Sequence, residues 1–233
     1  MKIVVADDLP ASALDLLRAE PGWVVDARSG RPPAALAADL ADADALLVRS
    51  ATKVNAALLD AAPKLRIVAR AGTGVDNVDV AAASAHGILV VNAPGANSIS
   101  VAEHACALML ALARSVPAAD QAMKGGRWEK KQFLGTELRG KTLGVAGLGR
   151  IGQEVAQRAR SFGMRVVAHD PYISKDIARG LGVELLSLDD LCATADYLTL
   201  HLPSTSETKH LFDAARFAKC KPGIRIVTPH AVN

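Results

Sequence analysis

The sequence predicts an α/β chain of two doubly wound, parallel-sheet domains, and three observations predict it. Short apolar runs alternate with helical patterns from the first residues onward. Half of the 233 residues are hydrophobic and only 3% are aromatic, so the core is built of Val, Leu, Ile and Ala, as sheets buried on both faces require. From residue 141 a Gly-rich turn stands between an apolar strand and an amphipathic helix, which marks a second sheet.

The elements follow in order. KIVVAD (2–7) is a short apolar run suited to a buried parallel strand, and ASALDLLRAE (11–20) repeats its leucines at helical spacing. WVVDARS (23–29) is strand-like, and PPAALAADLADA (32–43) is helical with prolines at its start. ALLVRS (45–50), LRIVARA (65–71) and ILVVNAP (88–94) are three more strands, with helices at 54–62 and 78–86. In such sheets ligands bind beyond the carboxyl ends of the strands. Asp7, Asp8, Arg49, Ser50, the Gly72-Thr73-Gly74 loop and Asn92 fall there. A cation beside a hydroxyl suits a small anion, and a Gly-Thr-Gly loop can turn backbone N–H groups toward a carboxylate. The plainer alternative is that the glycines only end strands and Arg49 is a solvated charge.

Residues 98–117 form one long helix candidate, followed by a polar connector, MKGGRWEKKQFLGTELRGK. KTLGVAGLGRIGQEVAQRARSFG (141–163) then runs strand, turn, helix, and RVVAHD (165–170) gives a further strand ending in Asp170. The turn is a GxGxxG of Gly147, Gly149 and Gly152 in the context that binds dinucleotides. Gly147 allows the tight turn, Gly149 lets backbone approach the pyrophosphate, and Gly152 lets the helix pack on the strand. The helix N-terminus favours the phosphates. Asp170 can accept hydrogen bonds from the ribose hydroxyls and would repel a 2′-phosphate, so NAD is preferred over NADP, with Arg150 the one residue able to blunt that preference. VELLS (183–187), DYLTLHLP (196–203) and GIRIV (223–227) complete the strands; Leu202 and Pro203 end the second of them at the sheet edge.

Composition narrows the function classes. Net charge is +3 with no long basic run, which gives nucleic-acid binding little support. The apolar stretch near 106–113 is far shorter than the ~20 residues of a membrane span. The N-terminus has no signal-peptide pattern, so a cytoplasmic protein is expected. Cys106, Cys192 and Cys220 are scattered, with no CxxC, which argues against disulfides and zinc; no metal site is expected.

The chain resembles the D-isomer-specific 2-hydroxyacid dehydrogenases from residue 1 to about 227. The carriers are VRSATKV (48–54), RAGTGVDNVD (70–79), NAPGANSISVAEH (92–104), GRWEKKQFLGTELRGKTLGVAGLGRIG (126–152), SFGMRVVAHDPY (161–172) and HLPSTSETKHLF (201–212). GTGVDN with WEKKQFLGTEL points to the branch acting on a phosphorylated three-carbon 2-hydroxy acid. The resemblance implies a flavodoxin-like substrate domain over 1–97, a Rossmann NAD-binding domain over 98–227 and a tail at 228–233. It implies substrate-anion contacts at Arg49 and Ser50, a carboxylate-holding loop at Thr73 and Gly74 with Thr73 also near the cofactor, and a hinge at Asn97. It implies cofactor contacts at Gly147, Gly149, Arg150, Ile151, Gly152, Asp170, Leu202 and Pro203. A homo-oligomer, dimer or tetramer, paired through the NAD-binding domain is expected as well.

The final residues depart from the family pattern. There the strand matching GIRIV runs into a motif whose arginine binds the substrate's carboxylate and keto oxygen, and an acid-oriented histidine lies further on in a Pro-His segment. Here TPH (228–230) follows the strand directly, so the Rossmann domain reads as incomplete. An internal deletion joining the histidine segment to the strand, and a truncation followed by an unrelated tail, both stay open. Arg225 lies inside the strand and does not replace the missing arginine. His230 is the candidate acid/base, although no acid partner sets its orientation or pKa. Three functions therefore stand: an NAD-dependent dehydrogenase of that phosphorylated acid, a relative acting on glyoxylate, hydroxypyruvate or lactate, and an NAD-binding module that does no chemistry.

Overall fold

The computed structural model describes residues 1–203, 205 and 207–229. The chain forms two compact units, Met1–Ala96 and Asn97–Asn233.

The first unit alternates strand and helix throughout: β1 (Lys2–Val5), α1 (Ala11–Arg18), β2 (Val24–Ala27), α2 (Pro33–Leu40), β3 (Ala45–Val48), α3 (Ala56–Asp60), β4 (Ile67–Arg70), α4 (Val80–Ala85) and β5 (Leu89–Asn92). All pairings are parallel, in the order β2-β1-β3-β4-β5, so the sheet reverses its winding beside β1. Val4, Leu46 and Val68 on one face pack with Leu36, Leu40 and Leu59 from the helices. Ile3, Val5 and Ala45 on the other face pack with Leu14 and Leu17. Both faces are covered, which is why these strands are continuous apolar runs and do not alternate. Short helices α3 and α4 are started by Asn55 and Asp79, whose side chains accept from the N–H three residues on.

The second unit starts with α5 (Ser98–Arg114) and α6 (Val116–Lys124). The sequence pattern predicted one helix over 98–117, but the chain bends by 65° between the two. Ser115 lies in the left-handed region, φ 51°, and Pro117 stands in the first turn of α6, where its missing N–H costs nothing. No single described helix is long and apolar enough to cross a membrane. A short 3₁₀ turn, Lys130–Gln132, interrupts the polar connector.

The second sheet follows: β6 (Thr142–Ala146), α7 (Arg150–Ser161), β7 (Arg165–His169), α8 (Lys175–Gly180), β8 (Glu184–Leu185), α9 (Leu188–Thr194), β9 (Tyr197–Leu200), α10 (Ala214–Phe217) and β10 (Arg225–Val227). Its order is β10-β9-β6-β7-β8, again parallel. Helices α5 and α7 cover one face around Met109, Val145, Val155 and Tyr197. Gly144 is the point of closest approach on the other face, where an added Cβ would meet Ala195 at 2.9 Å.

The periodicity picks out β8 only weakly, and the strand is two residues long. Helices α8 and α10 carry too few apolar positions to show a helical period, and α9 shows only one repeat, Leu188, Leu191 and Cys192. Their signals are the caps: Ser174, Ser187 and Asp213 each accept from the N–H three residues on. IRIV (224–227) reads as a buried strand, whereas in β10 only Val227 is buried and Ile226 is 38% exposed. The reason is position: among the described strands β10 pairs with β9 alone and lies at the sheet edge.

Candidate functional site

In the first unit the carboxyl ends of β1, β3, β4 and β5 form one hydrogen-bonded rim. Its centre is Asp7, which is only 7% exposed. One carboxylate oxygen accepts from the backbone N–H groups of Arg49 (2.6 Å), Ala51 and Thr52 (both 3.2 Å), and the other from the Thr52 hydroxyl (2.5 Å). Burial by itself would raise the Asp7 pKa. The hydrogen bonds from Thr52, Arg49 and Ala51 outweigh it and hold the carboxyl below its ordinary value. Asp7 is thus an ionised peg around which the loop after β3 is wound.

That loop leaves Arg49 and Ser50 exposed. The Arg49 guanidinium donates to the Asp8 carbonyl at 3.3 Å, and no carboxylate pairs with it among the described residues. The Arg49 carbonyl is fixed from below by Asn77 Nδ2 (2.8 Å) and Arg70 Nε (3.2 Å), and Asn77 also reaches the Thr52 carbonyl (2.6 Å). Arg70 extends to the carbonyl of Gly74 and pairs with Asp76 at 3.4 Å. Asn92 Nδ2 holds the carbonyl of Thr73 at 2.6 Å. With these carbonyls turned inward, Thr73 and Gly74 form an exposed loop tied to the Arg49 loop through Arg70 and Asn77. A Cβ at Gly74 would crowd Asp76 (2.9 Å) and Arg70 (3.0 Å). The structure therefore brings Arg49, Ser50, Thr73 and Gly74 to one rim carrying an unneutralised cation. Thr52, Arg70 and Asn77 had no role in the sequence reading. The signal for Arg70 was a charge closing an apolar strand; Asn77 lay unassigned inside GTGVDN.

In the second unit the glycine turn sits at the carboxyl end of β6. Gly147 has φ +91°, and a Cβ there would fall on the His201 carbonyl. A Cβ at Gly152 would fall on the Gly147 carbonyl, so the first turn of α7 lies directly on the loop. Gly149 differs: nothing stands within 4 Å of where its Cβ would be. No side chain caps α7, so its first N–H groups keep their capacity to donate outward. Open space over Gly149 beside an uncapped helix end is the concavity a pyrophosphate fits.

Asp170 follows β7. Its carboxylate accepts from Leu148 N–H (2.8 Å) and Tyr172 N–H (2.9 Å), which anchors the turn to the neighbouring strand. Each oxygen keeps a second lone pair for a ribose hydroxyl. Gln153, unnoticed in the sequence, donates to the Leu148 carbonyl at 3.0 Å and braces the same turn. Arg150 is exposed at the start of α7, whereas Ile151 is partly buried against the core of the unit. Leu202 is partly buried, with its Cδ2 3.2 Å from where a Gly147 Cβ would lie; Pro203 is exposed and accepts from Thr208 at 2.5 Å. Asn97 occupies the N-cap position of α5. Arg225 sits over the buried Tyr197 ring, 5.2 Å from its centroid, a packing role. Among the described residues no cluster of three metal-binding side chains occurs. His230 lies outside the described residues.

Glycine turn, strand-end acid and parallel sheet together define a dinucleotide-binding α/β unit. The sequence profile of the D-isomer specific 2-hydroxyacid dehydrogenase NAD binding domain matches residues 106–229. The chain belongs to the D-isomer specific 2-hydroxyacid dehydrogenase family, and its second unit is that family's NAD binding domain.

Among curated relatives, a D-3-phosphoglycerate dehydrogenase of Mycobacterium tuberculosis is 55% identical over 97% of this chain. The chain spans 42% of that relative's length. A crystal structure of a Thermus thermophilus protein superposes with a TM-score of 0.89 at 37% identity, covering 98% of this chain and 73% of that one. A D-lactate dehydrogenase from Aquifex aeolicus, complexed with NAD and lactic acid, superposes with a TM-score of 0.84 at 27% identity, covering 98% and 68%.

Proposed function

We propose that this chain is the substrate-anion and dinucleotide-binding core of an NAD-dependent oxidoreductase that interconverts D-3-phosphoglycerate and 3-phosphohydroxypyruvate, a step toward serine. The observation that carries the proposal is the first unit's rim, where exposed Arg49 and Ser50 are joined to the Thr73–Gly74 loop by Arg70 and Asn77. Arg49 holds the phosphate as a charge without a carboxylate partner, and Ser50 adds a hydroxyl donor. The Thr73–Gly74 loop, its carbonyls occupied by Asn92 and Arg70, offers N–H groups to the carboxylate. NAD, when bound, supplies the nicotinamide that accepts or returns the hydride. Gly149 and the start of α7 hold its pyrophosphate, Asp170 its ribose, and Leu202 and Pro203 flank it. His230 is assigned the proton of the C2 hydroxyl.

The closest competing reading is an unphosphorylated 2-hydroxy acid, as the names of the lactate and glyoxylate enzymes among the structural neighbours suggest. Oxidation of NADH by phosphohydroxypyruvate tests the proposal. Turnover should occur, and Arg49→Ala should raise KM for phosphohydroxypyruvate at least tenfold more than for hydroxypyruvate. Equal losses on both substrates would remove the phosphate role from Arg49 and favour the competing reading. Asp170→Ala should weaken NADH binding about tenfold. NADH binding without turnover would leave a dinucleotide-binding module. Exposed Ile99, Leu112, Val116 and Met123 on α5 and α6 support self-association through the second unit, which sedimentation would test.

A further inference from the structure

Cys192 and Cys220 are 28 positions apart by number (220 − 192), which hides any relation between them in the sequence. In the structure the segment carrying Cys220 is held against α9, which carries Cys192, by the ion pair of Lys219 with Asp189 at 2.6 Å. Cys192 lies on α9 and is fully buried; Cys220 follows α10 and is partly exposed.

Two ion pairs bracket the meeting point. Lys219, one residue before Cys220, reaches Asp189 at 2.6 Å, one turn before Cys192. Lys221, one residue after Cys220, reaches Asp196 at 3.0 Å, past the end of α9 and just before β9. Arg216 also approaches Asp189, at 3.5 Å, and its carbonyl takes the Cys220 thiol at 3.8 Å. The segment 216–221 is thus pinned to Asp189 on α9 and to Asp196 just before β9, which brackets Cys192 in the chain and sets the Cys220 thiol beside it. Cys106, the third cysteine, is buried on α5 and belongs to the core on the other face.

We propose that Cys192 and Cys220 are a reversible thiol–disulfide pair that responds to peroxide-class oxidants. Cys220 meets the oxidant because it alone of the pair reaches solvent. Its sulfur attacks the peroxide; an S–O bond forms, the O–O bond breaks and one water is released as the sulfur becomes a sulfenic acid. The Cys192 sulfur then attacks that sulfur. The S–S bond forms, the S–O bond breaks, and a second water leaves with the Cys192 proton. In sum two thiols and one peroxide give one disulfide and two waters, and a dithiol reductant reverses the change.

The two thiols are not equivalent. Burial, and then the neighbouring Cys220, push the Cys192 thiol up to about 12, so it is a poor nucleophile toward anything in solution. It reacts only with a partner already held against it, which is the resolving role. Closing the bond would tie the turn before β10 to α9 and so fix the edge strand to the sheet.

Peptide mapping of the whole chain tests this. The protein is treated with a few equivalents of hydrogen peroxide under native conditions, blocked with N-ethylmaleimide and digested. A Cys192–Cys220 linked peptide is expected, and thiols titratable in denaturant should fall from three to one and return with dithiothreitol. Cys192→Ala, a small apolar replacement for the buried position, should leave Cys220 as a sulfenic acid that dimedone traps. Cys220→Ser should leave Cys192 unoxidised. The proposal is overturned if native Cys220 is driven to sulfinic acid with no linked peptide. It is equally overturned if the link joins Cys106, or Cys220 of two copies.

Discussion

Asp7 offers a test of how the substrate-side rim is held. In Asp7→Ala three backbone N–H groups, those of Arg49, Ala51 and Thr52, lose their acceptor. A buried donor left unsatisfied costs ~1–3 kcal/mol, and taking the low end for this partly buried loop gives about 3 kcal/mol. The Thr52 hydroxyl can turn to water and adds little. For a unit of this size, each kcal/mol moves the melting midpoint by roughly 4–8 °C, so a fall of about 12 °C or more is expected. Asp7→Asn keeps an oxygen for the three N–H groups and an amide that Thr52 can accept from, so it should lose only the benefit of the charge, about 1 kcal/mol. Trp23 lies in the first unit, and Trp128 in the second is 78% exposed, so the change in tryptophan fluorescence on urea unfolding reports mainly the first unit. The pH dependence has a definite sign. The Asp7 pKa is depressed in the folded chain, below an unfolded value of about 3.9. Its contribution is therefore complete above about pH 4 and is lost as pH falls through the folded value. The gap between wild type and Asp7→Ala should be constant from about pH 5 to 8 and should narrow below about pH 4. A gap under about 0.5 kcal/mol at neutral pH, or Asn as damaging as Ala, would show that the loop is not wound on this carboxylate.

The glycine turn gives a pair of opposed outcomes. Gly152→Ala drives a Cβ onto the Gly147 carbonyl and should cost roughly 1–3 kcal/mol of stability. Gly149→Ala points into open space and should cost less than about 1 kcal/mol, while weakening NADH at least tenfold in a fluorescence titration. Stability loss at both positions, or NADH affinity retained in Gly149→Ala, would contradict the assignment of Gly149 to the pyrophosphate. Arg225→Ala removes the cation above Tyr197 and should lower the second unit's stability by about 0.5–2 kcal/mol in guanidinium unfolding; an unchanged midpoint would mean that β10 does not depend on this contact.

Much of the architecture was legible because its causes are local. Strands such as KIVV and TLGVA are apolar without alternation because both faces of their sheets are covered, and that property is written in the run itself. The glycine turn was legible because positive φ and close helix packing demand glycine at Gly147 and Gly152 whatever surrounds them. The bend at Ser115 was missed because apolar spacing continues across it. Helices α8 to α10 were missed because a helix of four to seven residues shows at most one repeat of its period, as Leu188, Leu191 and Cys192 do in α9, although its capping residue is visible. At the candidate site, the strand ends showed the outward-facing residues and two of those that hold them, Asp7 and Asn92, but not Thr52, Arg70 or Asn77. Arg49 and Thr73 stand in recognisable segments, whereas Arg70 and Asn77 act by reaching carbonyls in another loop.

The sequence by itself determined the class of fold, the family, the NAD-type turn and the strand ends where ligands are met. The fold class, the turn and the strand ends follow from residue type and spacing within a few tens of positions, whereas the family follows from a resemblance spread over segments from residue 48 to 212. Only the tertiary structure decided which distant groups share a neighbourhood. It set Asp7 against a loop 42 to 45 residues away, Arg225 over Tyr197, and Cys220 against Cys192. A parallel sheet brings together strand ends that are far apart along the chain, and what meets there depends on strand order and register. No local pattern of residues records either one.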